Sequence, residues 1–274
     1  MDKLGYDKFF LGKDYFIELP KVNSQDLNLD MVLNRGEVFN FTHFSLIMHK
    51  VLKSAIYVAY NIDKDSLKNI KRKDYWHYDE KIGEENQIGN DIYKNNEWDR
   101  GHLARRKDIC WGSLEEAILA NYDSFCWANI SIQHQNFNQG IWSKLEDFVF
   151  NKICDNSKGK RLSVFTGPIN GAGSIKYCGK DKPLTCNTII PIGFWKTIFY
   201  INSEGDLKSK SFIIKQDKYL KRSLISEFAM FKTYEVVLSD IMTLTGLEFD
   251  NKLLKTDSLL NRSAIISTVE DISV

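Results

Sequence analysis

The sequence predicts an α+β fold with a mostly antiparallel central sheet flanked by helices. Two observations carry this expectation. Runs rich in β-branched and aromatic residues, ending at turn residues, recur along the chain and read as strands. Helical patterns lie between them without regular alternation, which disfavours a doubly wound parallel sheet. No repeat, low-complexity tract or Pro/Gly/Ser linker divides the 274 residues, so one domain spanning residues 1–274 is expected.

The strands expected are Ala55–Asn61, Ser124–Ile130, Arg161–Gly167 ending at Gly167-Pro168, Thr188–Ile201 broken early by Pro191 and Gly193, and Ser209–Lys215 after the turn Glu204-Gly205. The helices expected begin with Ser113–Tyr122, where Ser113 followed three residues later by Glu116 makes a capping-box pattern. Trp142, Leu145, Val149 and Ile153 recur at the spacing of one buried helical face. Lys218–Phe231 and Glu235–Thr245 read as further helices near the C-terminus.

Composition bounds the function. The formal net charge is +1, so the molecule as a whole does not attract nucleic acid, and phosphate affinity must come from local clusters. Three are visible: Lys71-Arg72-Lys73, Arg100 with Arg105-Arg106-Lys107, and Lys158 with Lys160-Arg161. Each reads equally well as a solvated surface. The five cysteines lack CxxC spacing, which argues against a zinc site and a dense disulfide framework. Free thiols are expected, although a Cys178–Cys186 bridge is geometrically allowed. Without a basic region leading into an apolar run, no secretory signal is read, and no segment has the length of a membrane span. The expectation is a cytoplasmic protein without a membrane partner, export by another route being left open.

Among His43, His49, His77, His102 and His134, the fourth stands out by its company. It ends Asp99-Arg100-Gly101-His102, where Gly101 is expected to let the backbone turn sharply, and Arg105-Arg106 follow. Imidazole suits proton abstraction from water near neutral pH, and arginine suits a phosphate on which charge develops. Hydrolysis of a phosphodiester is the chemistry this suggests. A second group, Asn138, Trp142 and Glu146, falls at i, i+4 and i+8. On a regular helix Asn138 and Glu146 would lie roughly 12 Å apart along the axis, too far to share one ion directly. Magnesium keeps several waters and needs few protein ligands, so one amide oxygen with a carboxylate facing its water shell would suffice. A helix cap and a solvated helix charge account for the same two residues equally well.

DRGHLARRKD, followed by ANISIQHQNFNQGIWSKLED, resembles the DNA/RNA non-specific endonucleases of the His-Me finger, or ββα-metal, class. FTHFSLIMHK, AIYVAYNID, RLSVFTGPI, PIGFWKTIF and TGLEF fall in the family's order, so the resemblance covers about residues 5 to 257, leaving 258–274 as a tail. It implies a Mg2+-dependent, sugar-non-specific endonuclease, with Mn2+ as a substitute, cutting DNA and RNA to leave 5′-phosphates. It implies His102 as general base, Asn138 as the one direct metal ligand, Glu146 as the residue fixing the metal's water shell, and Arg100 as a phosphate contact.

Asp99, Asn129, Arg105 and Arg106 are read as supporting or substrate-binding residues, Asn129 matching a recurrent strand asparagine. Trp76 and Asp79 match the family's Trp-x-x-Asp segment, but Arg72 is offset by about two residues from the arginine expected before it. Some relatives carry an arginine one turn after the helix glutamate. This chain has Phe150 there, which leaves Arg105 or Arg106 to supply the contact.

Two rival readings stand against this one. A binding module that lost catalysis would have a damaged His, Asn or Glu, and all three are intact. A sequence-specific HNH enzyme would need a histidine pair or a second acidic ligand that the spacing does not supply. Homodimerisation and an inhibitory or regulatory partner stay open. A non-specific nuclease held inside a cell endangers it, which motivates a sequestered, toxin or defence role.

Overall fold

The computed structural model describes residues 4–22, 29–171, 173–179, 188–216, 233–259 and 265–266. Its centre is an eight-stranded sheet in the order β14-β12-β11-β10-β7-β4-β3-β2. The strands are β2 Phe39–Phe41, β3 Phe44–His49, β4 Ser54–Asp63, β7 Arg161–Ile169, β10 Gly193–Ile201, β11 Leu207–Lys215, β12 Thr233–Val236 and β14 Ile265–Ile266. Every neighbouring pair is antiparallel. Short pairs join β1 Lys21–Val22 to β13 Leu247–Glu248, and β8 Ile175–Lys176 to β9 Ile189–Ile190. A separate ribbon pairs β5 Trp98–His102 with β6 Ile130–His134.

Alternation along the strands builds two cores, because successive side chains point to opposite faces. On one face Val58, Tyr60, Val164, Phe194, Ile198 and Phe212 pack against a long helix, α3. It runs through Phe137–Trp142, Ser143–Phe148, Val149–Ile153 and Cys154–Asn156. Its apolar stripe of Trp142, Leu145, Val149 and Ile153 is at most 1% exposed. On the other face Tyr57, Phe165, Trp195, Phe199 and Ile213 meet Ile241 of α4, Leu238–Thr245, together with Phe249 and Leu253. A third cluster, with Tyr93, Trp98, Trp127 and Ile132, fixes the β5–β6 ribbon.

The α1 helix, Arg106–Ile109, is a single turn after β5, within the connection to β6. The following helix, α2 Leu114–Ser124, carries the expected capping box: Glu116 N donates to Ser113 Oγ at 3.2 Å and Ser113 N to Glu116 Oε2 at 2.7 Å. Both satisfy backbone donors that a helix start leaves without partners.

Four expectations are corrected. The strand expected over Ser124–Ile130 begins only at Ile130. Before it the chain turns at Trp127–Asn129, with Cys126 N bonded to Asp123 O and Asn129 N to Cys126 O, so its aromatics are buried in a turn. The helix expected over Glu235–Thr245 begins at Leu238, because Thr233–Val236 extends the sheet and buries Glu235 against Lys210 at 3.1 Å. It ends at Gly246, whose left-handed φ of 68° lets its N–H reach Met242 O. Gly101 makes no sharp turn: it lies within β5 opposite Ser131, where a Cβ would collide with the side chain of Gln133. Cys178 is disulfide-bonded rather than a free thiol, whereas Cys110, Cys126 and Cys154 are free and buried. The helix expected over Lys218–Phe231, Cys186 and most of the tail lie outside the described residues. Among the described residues no helix is long and apolar enough to cross a membrane.

Candidate active site

The ribbon and the start of α3 bound a cavity of about 430 Å3. Arg72, Asp74, Trp76, Asp99, Arg100, His102, Arg105, Arg106, Asn138 and Glu146 all line it. Residues expected to cooperate from separate parts of the chain are therefore brought to one place. A kink helps: Gly140, at φ −99° and ψ −106°, departs from helical geometry between Asn138 and Glu146, and both reach the same cavity.

On one face of β5, Arg100 and His102 meet an aromatic wall. The Arg100 guanidinium lies 5.5 Å from the ring centres of Trp76 and Tyr93, a distance for cation–π attraction. Asn90 Oδ1 accepts from its Nη2 at 2.6 Å and its Nε at 3.1 Å, which fixes one edge and leaves Nη1 outside that pair. The His102 ring stands edge-on to Phe125 at 5.3 Å and tilted against Trp76 at 5.8 Å.

His102 Nε2 is buried without a hydrogen-bond partner, while the Arg100 backbone carbonyl accepts from the ring. The ring proton thus belongs on Nδ1, leaving the Nε2 lone pair free to accept. Burial, with the charges of Arg72 and Arg106, pushes the imidazole down to about 3, so it is neutral through the physiological range. The other histidines serve the fold. His43 Nδ1 meets Ile109 O at 2.8 Å and its ring stacks on Trp111, His49 Nδ1 accepts from Val51 N and Leu52 N, His77 Nδ1 meets Tyr75 O, and His134 Nδ1 accepts from Asn136 N.

On the other side Asp99 Oδ2 accepts from Asn138 Nδ2 at 2.9 Å and Gln139 Nε2 at 2.8 Å. A carboxylate can take only the NH2 end of an amide, so Asn138 Oδ1 is the end left for a cation. A small hard ion such as Mg2+ takes oxygen ligands and keeps several waters, so few need come from protein, and the donor set here suits that demand. No cluster of three or more His, Cys, Asp or Glu able to hold a metal exists among the described residues. A site built from one amide oxygen and a nearby carboxylate is the arrangement these residues fit.

Glu146 is 8% exposed and closes the cavity floor. Arg105 Nε lies 3.2 Å from its Oε2, and Arg105 Nη2 lies 2.6 Å from Asp147 Oδ1. Arg105 thus stands beside the helix glutamate, whereas the Phe150 ring lies under Lys64 Nζ at 4.3 Å. Arg72 reaches the cavity despite its offset, held by Asp74 Oδ1 at 2.7 Å, and draws that carboxyl below its usual range. Arg106 Nη1 is anchored on Ile70 O and Asn121 Oδ1, both at 3.1 Å. Asn129 lies outside the cavity: it takes Ala104 N on Oδ1 and donates to Ala104 O and Ser124 O, tying β5's exit to the turn before β6. Asp79 caps a turn at Lys81 and Ile82. The third basic cluster is elsewhere, with Arg161 on Asp63 and Lys160 on Asp65.

Sequence reading missed three groups. Asn90 orients Arg100 from ten residues away. Asp108 is 1% exposed, its Oδ1 is 3.8 Å from Arg105, and burial raises its carboxyl to about 7. Lys196 of β10 is fully buried with its Nζ 3.8 Å from Glu146 Oε1. A lysine inside PIGFWKTIF, an otherwise apolar strand, was the available sign.

The model of the family described as DNA/RNA non-specific endonuclease matches residues 28–256. The chain is 31% identical over 256 residues to the uncharacterized protein y4fB of Sinorhizobium fredii, a match covering 86% of this chain and 37% of that protein. It is 28% identical over 208 residues to a nuclease of Serratia marcescens, covering 74% and 71%. With mitochondrial endonuclease G of Bos taurus it shares 23% over 194 residues, covering 67% and 58%. In fold it is similar to the solved EndoG/EndoGI complex, with a TM-score of 0.60 at 20% identity, covering 80% of this chain and 89% of that one. Ribbon, cavity and family model converge on the same stretch of sequence, and the chain belongs to the DNA/RNA non-specific endonuclease family.

Proposed function

We propose that this chain is a Mg2+-dependent endonuclease that hydrolyses the phosphodiester backbone of DNA and RNA with little base preference. The observation that carries the reading is His102 Nε2, unpartnered and neutral, in one cavity with the Asn138 amide that Asp99 holds by its nitrogen. Arg72, Arg100, Arg105 and Arg106 in the same cavity supply the positive field a phosphate requires. Such contacts hold a backbone in place and carry no sequence information.

In this reading Arg100 binds a non-bridging oxygen of the scissile phosphate, with Asn90 holding its guanidinium in orientation. His102 accepts a proton at Nε2 from the attacking water while the Arg100 carbonyl keeps Nδ1 protonated. Asn138 Oδ1 would be the direct ligand of Mg2+, with Mn2+ as a substitute, and Glu146 would face the ion's water shell. Such an ion, when bound, would supply charge that neutralises the phosphate and favours departure of the 3′-oxygen. The products are 5′-phosphate ends.

Incubating the protein with supercoiled plasmid and with RNA, with Mg2+ or with chelator, tests this. Metal-dependent cutting of both, leaving 5′-phosphates, is expected; metal-independent cutting or 3′-phosphate ends contradict it. We further propose a toxin or defence setting controlled by an inhibitor; the solved EndoG structure of similar fold is a complex with EndoGI that bears on EndoG inhibition. Cells expressing wild type should die where those expressing His102→Ala survive, and equal survival argues against that setting.

A further inference from the structure

We propose that Lys196 is a positioning residue for Glu146: from the sheet behind the cavity, its buried ammonium clamps the carboxylate in its cavity-facing place. This rests on the nuclease reading and adds a residue that no motif of the ribbon or helix contains.

Lys196 lies on the α3 side of the sheet, between Phe194 and Ile198, its register partners on β7 and β11 being Thr166 and Phe212. Its ammonium donates to Tyr60 Oη at 3.0 Å and lies 5.3 and 5.0 Å from the rings of Tyr60 and Trp142. Taking a cation out of water is costly, and an apolar residue of similar volume would pack there without that cost. The acidic group in ion-pair range of it is Glu146, at 3.8 Å, and the buried Asp108 carboxyl acts on it more weakly.

The carboxylate is held from two sides. Oε2 faces Arg105 at the cavity wall, and Oε1 faces Lys196 from within. At 3.8 Å the lysine attracts without forming a short hydrogen bond, and Oε1 has no partner in hydrogen-bond geometry, so that oxygen keeps its acceptor capacity. Burial raises the Glu146 carboxyl, and of the groups opposing that rise Lys196 is the strongest, ahead of Arg105. Tyr60, itself fully buried, anchors the ammonium and so belongs to the same device.

The test is a double-mutant cycle on cleavage of a defined oligonucleotide with Mg2+, using wild type, Lys196→Met, Glu146→Gln and the double variant. Thermal melting reports folding of each. Lys196→Met is expected to lower kcat by about 10- to 100-fold, the range for residues that orient a metal site's inner groups. KM should change by less than about two-fold, because Lys196 touches no substrate. In the Glu146→Gln background the same change should cost almost nothing, since the carboxylate it serves is gone. A merely structural lysine would instead lower both backgrounds by the same factor, and that result overturns the proposal. If Lys196→Met does not fold, Tyr60→Phe decides by the same cycle: a loss of about five-fold confined to the Glu146 background supports it, and an equal loss in both refutes it. A wild-type chain that leaves nucleic acid intact overturns the nuclease reading and this proposal together. A cleaving wild type with multiplicative losses overturns this proposal alone.

Discussion

The eight-stranded sheet and the small ribbon beside it satisfy their buried polar groups very differently. In the sheet Thr166 Oγ1 reaches Trp195 O, Thr197 Oγ1 meets Ser211 Oγ, and Lys210 pairs with Glu235. Around the ribbon, buried atoms lack partners in hydrogen-bond geometry: His102 Nε2, Asp108 Oδ1, Glu146 Oε1 and both polar atoms of Gln133. An unsatisfied buried group costs free energy, so the surroundings of the ribbon carry a concentrated cost that the described sheet residues bear at Trp195 Nε1 and Thr233 Oγ1. The lesson is a division of labour, in which the sheet supplies the stability that lets the ribbon keep acceptors ready for a ligand.

The largest expected effect breaks the sheet alone. Phe199, fully buried between Phe165 and Phe249, should cost about 3–5 kcal/mol when cut to alanine. Chemical denaturation should record that loss while the kcat of the molecules still folded is unchanged. Next in size, Asn138→Ala should raise the Mg2+ requirement or lower activity by about 10- to 100-fold with little change in melting temperature. Unchanged metal dependence would remove Asn138 from the ligand role. Asn90→Ala should weaken substrate binding by about ten-fold, by freeing the Arg100 guanidinium; an unaltered KM would show that Asn90 orients nothing that matters.

A last effect concerns pH. Burial first, then the Arg72 and Arg106 charges, hold His102 at about 3, whereas in the unfolded chain it titrates near 6.5. Between these values the unfolded state binds the extra proton. The stability that neutral His102 contributes is therefore complete above about 6.5 and is lost as pH falls toward 3. Melting temperatures between about pH 7 and pH 4 should fall less steeply for His102→Ala than for wild type, and parallel slopes would contradict the shift.

Local residues made much of this legible in the sequence. The α3 stripe, the Ser113 cap and the strands from Arg161 to Lys215 follow from periodicity and turn chemistry, which act over a few residues. The Asp99–His102 run and the Asn138–Glu146 spacing named a site because both are short-range patterns. What stayed hidden is long-range. No spacing rule connects Lys196 to Glu146 or Asn90 to Arg100, since those contacts arise only when the sheet and the turns bring separate segments together. Gly101 was misread for a related reason: its lack of a side chain answers to Gln133 on the neighbouring strand, not to its own backbone angles. The strand misassigned to Ser124–Ile130 has a strand's composition but spends its backbone bonds on a turn.

In the proposed mechanism His102 Nε2 takes the proton from water. The most direct measurement is the Mg2+-dependent cleavage rate of His102→Ala on plasmid DNA, with and without added imidazole, in protein whose melting temperature shows it folded. A loss of about 10²- to 10⁴-fold, partly restored by imidazole, is expected. Full activity in that variant would contradict it.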